Sequence, residues 1–571
     1  MSTRIKSQKK KALSSVADIL TTSHIRLMVL LILFCCGIAA VIAKLIWLIF
    51  ITGWGVEERR HPPVAPLQAR ADIVDRNGRT LARTIDVWSI GIHPRTLQAN
   101  HISDPDILAA NLAALLPERT ADEYRKILHS NRSFVFLRRH ASPELVRALN
   151  MLGEPAIDFL HEPSRLYPEG NLCAHVIGWI GEDGHGQSGM EYSFDKELTD
   201  PKRQSEPLAL SIDIRVQAAV EKSLAAAMQK YSAVGASAIV LDVDTGEVLA
   251  MASLPNFNPN DRSSSDPTAF DNKATLSVYE LGSTFKPLTM ATAIQDGVVT
   301  SLAKRYDATE PLAVGRFHIH DEHAQKRWLD VPETLVHSSN IVTARIADEL
   351  GPERMQAMFR NLNFDHRPAI ELAAKGRPIW PAFWARTTVM TTGYGHGIAV
   401  TPLHLTSAYA AIVNGGIWRP ATLLKRNPDY RPDGSRQIIS GQTSATMRRL
   451  LRLIVTDGTG RKANVEGFRV GGKTGTADKA EKGRYNHGAR ISTFAAVFPM
   501  DTPRYAIVAM LDNPQGTAET GGYATAGMVT APMVGDIIQH IGPLLGVIPD
   551  PKRDLDLTDL RALLWKPPAK Q

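Results

Sequence analysis

A chain of 571 residues with 44% hydrophobic and 22% charged side chains has room for several domains and sits near the soluble-protein average, which excludes wholesale disorder, collagen-like repetition and a many-span transporter. Lysine plus arginine number 65 against 58 aspartates plus glutamates, a net +7, and six of the basic residues (Arg4, Lys6, Lys9, Lys10, Lys11, Arg26) precede residue 27 with Asp18 as their single acid. The remainder is close to neutral, so no nucleic-acid partner is expected, and Cys35, Cys36 and Cys173 supply neither a disulfide framework nor a cysteine zinc site.

Residues 1–26 read as a short basic tail and residues 27–52 as one membrane helix. Its apolar run from Leu27 to Ile51 spans about 37 Å at ~1.5 Å per residue. The run resumes after Val41-Ile42-Ala43, where a cleaved signal peptide would turn polar, so an uncleaved anchor is expected. The basic flank keeps the N-terminus cytoplasmic and sends the rest across the inner membrane, with Lys44 near the outer interface beside Trp47 and Trp54. Residues 53–205 open with a proline-rich linker and then show a hairpin signal, residues 71–75 and 79–83 around Arg76-Asn77-Gly78. No catalytic constellation stands out in this region.

From residue 206 to about 545 the elements lengthen. The periodicity predicts a helix over Val216–Met228, strands Ala236–Val243 and Glu247–Ser253 around Asp244-Thr245-Gly246, and strands Ser492–Pro499 and Arg504–Leu511. A helix over Val534–Ile541 follows, and residues 546–571, with Pro549, Pro551, Pro567 and Pro568, read as a loosely attached tail. Strand pairs at both ends with helices between them give an α+β fold, a central antiparallel sheet flanked by helices.

Three motifs in this part point to chemistry. Ser283-Thr284-Phe285-Lys286 precedes Pro287, which is tolerable only near a helix start, so the serine belongs at a helix N-terminus with Lys286 beside it. A serine needs a base, and a lysine serves only when neutral, which asks burial and nearby positive charge to move its pKa by about 3 units, or ~4 kcal/mol. Lys473 of Lys473-Thr474-Gly475-Thr476 supplies a second cation on a strand over Phe468–Thr476, and with the two threonine hydroxyls makes an edge suited to a substrate carboxylate. Between them, Ser338-Ser339-Asn340 offers Ser338 as a proton relay and Asn340 as a positioning amide. Each motif is common by itself; the ordered trio is far more specific.

The trio resembles the signature of penicillin-binding proteins and serine β-lactamases. Tyr279-Glu280-Leu281-Gly282, Gly393-Tyr394-Gly395-His396-Gly397 with Val400-Thr401-Pro402, and Gly458-Thr459-Gly460 are similar to the transpeptidase domain of class B penicillin-binding proteins. Asp75-Arg76-Asn77-Gly78, Arg165-Leu166-Tyr167-Pro168 and Gly186-Gln187-Ser188-Gly189-Met190-Glu191 resemble that class's non-catalytic pedestal, with Ala71 in place of the usual glycine. The similarity covers roughly residues 70–540, and Asn340 and the Gly-Tyr-Gly-His segment look like the division-specific branch. The resemblance implies a peptidoglycan D,D-transpeptidase that acts on stem peptides ending in D-Ala-D-Ala, is a target of β-lactams, needs no cofactor or metal, and works beside a membrane glycan polymerase and other division proteins. It implies Ser283 as nucleophile, Lys286 as base, Ser338 and Asn340 as relay and positioning groups, and Lys473, Thr474, Gly475 and Thr476 as the substrate-binding edge. The backbone N–H groups of Ser283 and Thr476 would form the oxyanion hole.

His318, His320 and His323 around Asp321-Glu322 imitate a metal site, but their alternation fits a strand and no further ligand lies at zinc spacing. The polar stretch 478–490 reads as a solvated crossing between strands, with Tyr485 or His487 as possible substrate contacts. The alternatives are an elongation-type enzyme, a D,D-carboxypeptidase or a β-lactam sensor. The anchor and pedestal argue against a carboxypeptidase, and a 26-residue tail is too short for a folded effector.

Overall fold

The structure is a computed structural model that describes residues 28–44 and 70–566, except 101, 264, 428, 431 and 482–483; the side chains of 480, 481, 484 and 487 are also outside the description. The chain divides into two compact units, Met1–Pro66 and Leu67–Gln571. Residues 28–44 are helical. Among the described residues no helix is long and apolar enough to cross a membrane, and the remaining residues of the expected span, 27 and 45–52, lie outside them together with Trp47 and Trp54.

The second unit opens with the expected hairpin. Ile73–Val74 pairs with Thr80–Ile92, and Gly78 at φ +84° takes the positive φ that makes asparagine-glycine a turn signal. The second strand runs well past the predicted residue 83, because Val135–Ala141 and Ile157–Leu166 pair along it. Helices Pro105–Leu115, Ala121–Leu128 and Pro143–Asn150 cover its far end, where Ile90, Ile92, Leu108, Leu112, Tyr124 and Leu149 form a separate small core.

Two of the pedestal motifs, those of Arg165 and Glu191, meet with Arg70 around one buried carboxylate. Glu191 accepts from Arg70 Nε at 3.0 Å and from Arg165 Nε at 2.7 Å, and Arg70 also reaches Asp195 at 2.7 Å. Asp75 accepts from the N–H groups of Asn77 and Arg79, and its other oxygen accepts from Ile214 N at 3.2 Å. That contact ties the hairpin to the first helix of the next region, and Leu208–Ala209 pairs in parallel with Ile73–Val74.

That region is built on a five-stranded antiparallel sheet in the order Gly471–Glu481, Arg484–Phe498, Tyr505–Asp512, Gly235–Asp242, Val248–Leu254. The strand pairs expected at opposite ends of the sequence join where Tyr505 faces Asp242 and Asp512 faces Gly235. Alternate residues feed two cores. Ala236, Ala238, Val240, Phe494 and Phe498 pack under helices Ile214–Lys230 and Thr530–Leu544, whereas Ile239, Leu241, Ala495, Val497 and Val508 face the helical layer containing Pro402–Val413 and Gly441–Asp457. Both faces are buried, so these strands read as continuous apolar runs.

Two expectations need correction. Residues 478–481 and 484–490 are strand rather than loop: the two strands continue as a ribbon, with Lys479 facing Asn486 and a bulge at Asp478/Lys479. A two-stranded ribbon that projects beyond a sheet needs no apolar alternation, so its sequence looks like a solvated loop. The C-terminal segment is not loose either. Leu557 and Leu560 are buried, and Arg452–Asp554 (2.6 Å) and Arg561–Asp457 (3.1 Å) fasten it along Gly441–Asp457, while the Trp565 N–H donates to Glu333 at 2.8 Å. Prolines made it look like a tail, but two leucines and alternating acids carry the docking.

Candidate active site

Ser283 lies in a 3₁₀ turn, Gly282–Phe285, that runs directly into the helix Lys286–Gln295. The Lys286 N–H donates to the Ser283 carbonyl, and the three-residue step eclipses the two side chains. Pro287 sits in the helix's first turn, where no intrahelical donor is lost. The turn is gripped from several sides. Tyr409 donates its hydroxyl to the Thr284 carbonyl at 2.8 Å, and Thr284 Oγ1 donates to Leu281 O at 2.9 Å. Gly395, at φ +84°, lies so close that a Cβ would come within 2.2 Å of Gly282 O, and a Cβ on Gly475 would come within 2.4 Å of Leu281 O. Only glycine lets these two segments close on the serine's turn.

Behind the turn, two lysines share one serine. Lys286 and Lys473 are 1% and 0% exposed. Lys286 Nζ donates to the Ser338 carbonyl and, at 3.1 Å, to Ser338 Oγ; Lys473 Nζ donates to the same Oγ at 2.8 Å, to Thr474 O at 3.0 Å and to Thr474 Oγ1 at 3.1 Å. Ser338 itself holds φ +59°, a left-handed conformation that costs a serine of order 1 kcal/mol or more. Burial pushes the Lys286 pKa down to about 7, against the pull of the Asp321 and Glu322 charges. Burial first, and the charge of Lys286 second, hold Lys473 well below the ordinary lysine range. Burial thus leaves Lys286 available as a neutral amine near pH 7.

The sequence expectation for Lys473 changes in detail. Its three N–H donors are all engaged inside the protein, so it cannot offer a free ammonium to a carboxylate. The cleft edge consists of Thr474 and Thr476, with Lys473 behind them. Thr474 Oγ1 lies 2.9 Å from Thr459 Oγ1, and Thr476 Oγ1 accepts from Ala526 N at 3.0 Å.

Asp321, which the sequence offered only within the His318, His320 and His323 pattern, organises the middle motif. Its carboxylate accepts from Ser339 Oγ at 2.7 Å, Asn340 N at 2.6 Å and Ile341 N at 3.0 Å. It thus caps the positive end of the helix Asn340–Asn361, while Asn340 Nδ2 donates to His320 O at 2.9 Å. No local pattern announces such a contact, because it joins a loop to a turn far along the chain. His318 lies on the strand Phe317–Ile319, as its alternation suggested, and among the described residues no cluster of three or more His, Cys, Asp or Glu is placed to hold a metal ion.

These elements wall a cleft of about 640 Å³ lined by Ser283, Ser338, Asn340, Thr474 and Thr476, and also by Glu322, His396, Thr459, Arg461, Lys462 and Tyr523. At the ribbon side Glu280 accepts from the Tyr485 hydroxyl at 3.0 Å and from Gly397 N at 3.0 Å, with His396 3.4 Å away. Burial and Glu280 push the Tyr485 phenol up to about 12, so it stays a donor. The His487 side chain lies outside the described residues.

Residues 236–539 match the penicillin-binding protein transpeptidase domain, and residues 67–206 match the penicillin-binding protein dimerisation domain. The chain is 40% identical over 494 residues to a probable peptidoglycan D,D-transpeptidase FtsI of Caulobacter vibrioides, covering 84% of this chain and 82% of that one. It is 31% identical over 511 residues to the peptidoglycan D,D-transpeptidase FtsI of Escherichia coli K12, covering 84% of each. A crystal structure of penicillin-binding protein 3 from Mycobacterium tuberculosis complexed with aztreonam superposes with a TM-score of 0.66 at 26% identity, over 85% of this chain and 98% of that one.

Proposed function

The chain belongs to the class B penicillin-binding proteins and is an FtsI-like peptidoglycan D,D-transpeptidase, and from that premise we propose that Ser283 is its acylated nucleophile and Lys286 its base. The observation that carries this reading is the single Ser338 hydroxyl shared by two buried lysines behind a cleft that contains Ser283.

In the first half-reaction neutral Lys286 takes the Ser283 proton as Oγ attacks the carbonyl between the two terminal D-alanines. The Ser283 and Thr476 N–H groups receive the oxyanion, a contribution typically worth ~3 to 4 kcal/mol per donor. The C–N bond then breaks, the proton passes from Lys286 through Ser338 to the leaving amine, and D-alanine departs. The terminal carboxylate rests on the Thr474 and Thr476 hydroxyls, backed by Lys473, and Asn340 orients the donor backbone. In the second half-reaction an amine of a neighbouring stem attacks the ester, its proton returns to Ser283, and the cross-link forms.

The same reading divides the chain into a cytoplasmic tail (1–26), a membrane helix (27–52), linker and pedestal (53–205), transpeptidase domain (206–545) and C-terminal segment (546–571). The enzyme then works outside the inner membrane at the division septum, beside a glycan polymerase. Support comes from the basic flank of the apolar run and from the FtsI relatives. Replacing residues 27–51 with an unrelated span should preserve penicillin binding and impair septation; a fully complementing swap would reduce the helix to a passive anchor.

The direct test uses purified protein with a thioester donor and a stem-peptide amine. Coupling should exceed hydrolysis, and a fluorescent penicillin should label Ser283 and fail to label Ser283→Ala. Label retained in that variant would move the nucleophile elsewhere.

A further inference from the structure

The cleft is asymmetric about Ser283. On one side the motif strand runs into the ribbon, with Tyr485, Glu280 and His396. On the other it meets Thr459, and two residues on, the 3₁₀ turn Arg461–Ala463 brings Arg461 and Lys462 to the cleft wall. These two cations differ from most of their basic neighbours. Arg449, Arg452, Arg469, Arg553 and Arg561 all hold acids, and Asp457, the nearest acid in sequence to Arg461, is taken by Arg561. Neither Arg461 nor Lys462 has a side-chain hydrogen bond or ion pair among the described residues, and both are exposed. Their turn is nevertheless firm: Ala463 is fully buried, and a Cβ on Gly535 of the helix Thr530–Leu544 would touch Lys462 O and the Ala463 Cα at 3.4 and 3.5 Å.

This rests on the reading of Ser283 as nucleophile with the donor's terminal carboxylate on the Thr474 edge. The departing D-alanine then leaves on the Thr459 side, and the attacking amine must enter by the route the leaving amine took. We infer that Arg461 and Lys462 form the acceptor subsite, and that the acceptor is an anionic stem peptide with a carboxylate beyond its attacking amine. The ester bond between Ser283 Oγ and the acyl carbon breaks as the new C–N amide bond forms, and the amine's proton passes through Lys286 to Ser283. The two cations take no part in that transfer. They hold the acceptor by its charge, before and during attack alike, so they act on its KM and not on the chemical step.

The test pairs wild-type protein with Arg461→Ala/Lys462→Ala and with the charge-keeping Arg461→Lys/Lys462→Arg, using one thioester donor and two acceptor peptides that differ only by a free or amidated carboxylate. Wild type should prefer the free acid by about tenfold in acceptor kcat/KM, the sum expected of two exposed charge contacts. The alanine pair should lose that preference through KM and divert the acyl-enzyme toward hydrolysis, while its penicillin acylation rate stays at the wild-type value; the charge-keeping pair should restore the preference. Undiminished preference in the alanine pair overturns the subsite, as does an equal fall in penicillin acylation, which would make the turn structural. Absence of penicillin label in wild type overturns the underlying reading as well.

Discussion

Two clusters of buried charge in this protein are resolved in opposite ways. In the pedestal Arg70 and Arg165 close on Glu191, which is fully buried, and Asp195 takes a second side of Arg70. Every charge there has an opposite partner in contact, so burial is compensated by ion pairing. Behind the cleft, Lys286 and Lys473 meet on a neutral hydroxyl, and Asp321 and Glu322 act only at a distance. Without an acid in contact, burial is relieved by losing a proton. The same cost of desolvation makes a rigid joint in one region and a base in the other, and the difference lies in the residue types gathered.

Exchanging those types is the strongest way to break the comparison. Lys286→Arg keeps the positive charge but cannot yield a neutral base, so the penicillin acylation rate should fall about a thousandfold while the melting temperature changes little. Stopped-flow acylation together with a thermal melt checks both halves. Near wild-type acylation would make the lysine a charge anchor only.

The converse change belongs in the pedestal. Glu191→Gln leaves Arg70 and Arg165 around a neutral acceptor and should cost about 3 to 5 kcal/mol of stability in denaturant unfolding, with the acylation rate of the folded protein unchanged. A variant that kept its stability and lost acylation would mean that the pedestal cluster tunes the cleft.

A smaller effect sharpens the electrostatics. The Asp321 charge favours protonated Lys286, so Asp321→Asn should move the acylation pH profile toward acid. It also weakens the cap on Asn340–Asn361, and the plateau rate should drop severalfold. A shift toward alkali would contradict the assigned direction.

How much of this was legible depends on how local the signal is. The sheet could be read because alternate residues of each strand serve two cores, and the pairing of Ser283 with Lys286 could be read because their spacing is set within a single turn. The ribbon strands 478–481 and 484–490 could not, since their sequence is polar and shows no apolar alternation. Asp321 and Glu280 could not, since each is defined by partners far along the chain: Asp321 by the turn at Ser339, Glu280 by Tyr485 and Gly397. The full occupancy of Lys473 was equally hidden, because only the folded turn at φ +59° brings Ser338 Oγ to it.

The central claim is that burial without a contacting acid leaves Lys286 neutral near pH 7, ready to take the Ser283 proton. The acylation rate of the intact protein by a labelled penicillin, followed from about pH 5 to about pH 9 with the adduct mapped by mass spectrometry, tests it most directly. The neutral fraction falls tenfold per pH unit below the pKa, so the rate should climb with that slope, bend near pH 7 and level above it, with the label on Ser283. A rate that is flat across this range, or still rising tenfold per unit up to its alkaline end, would contradict it.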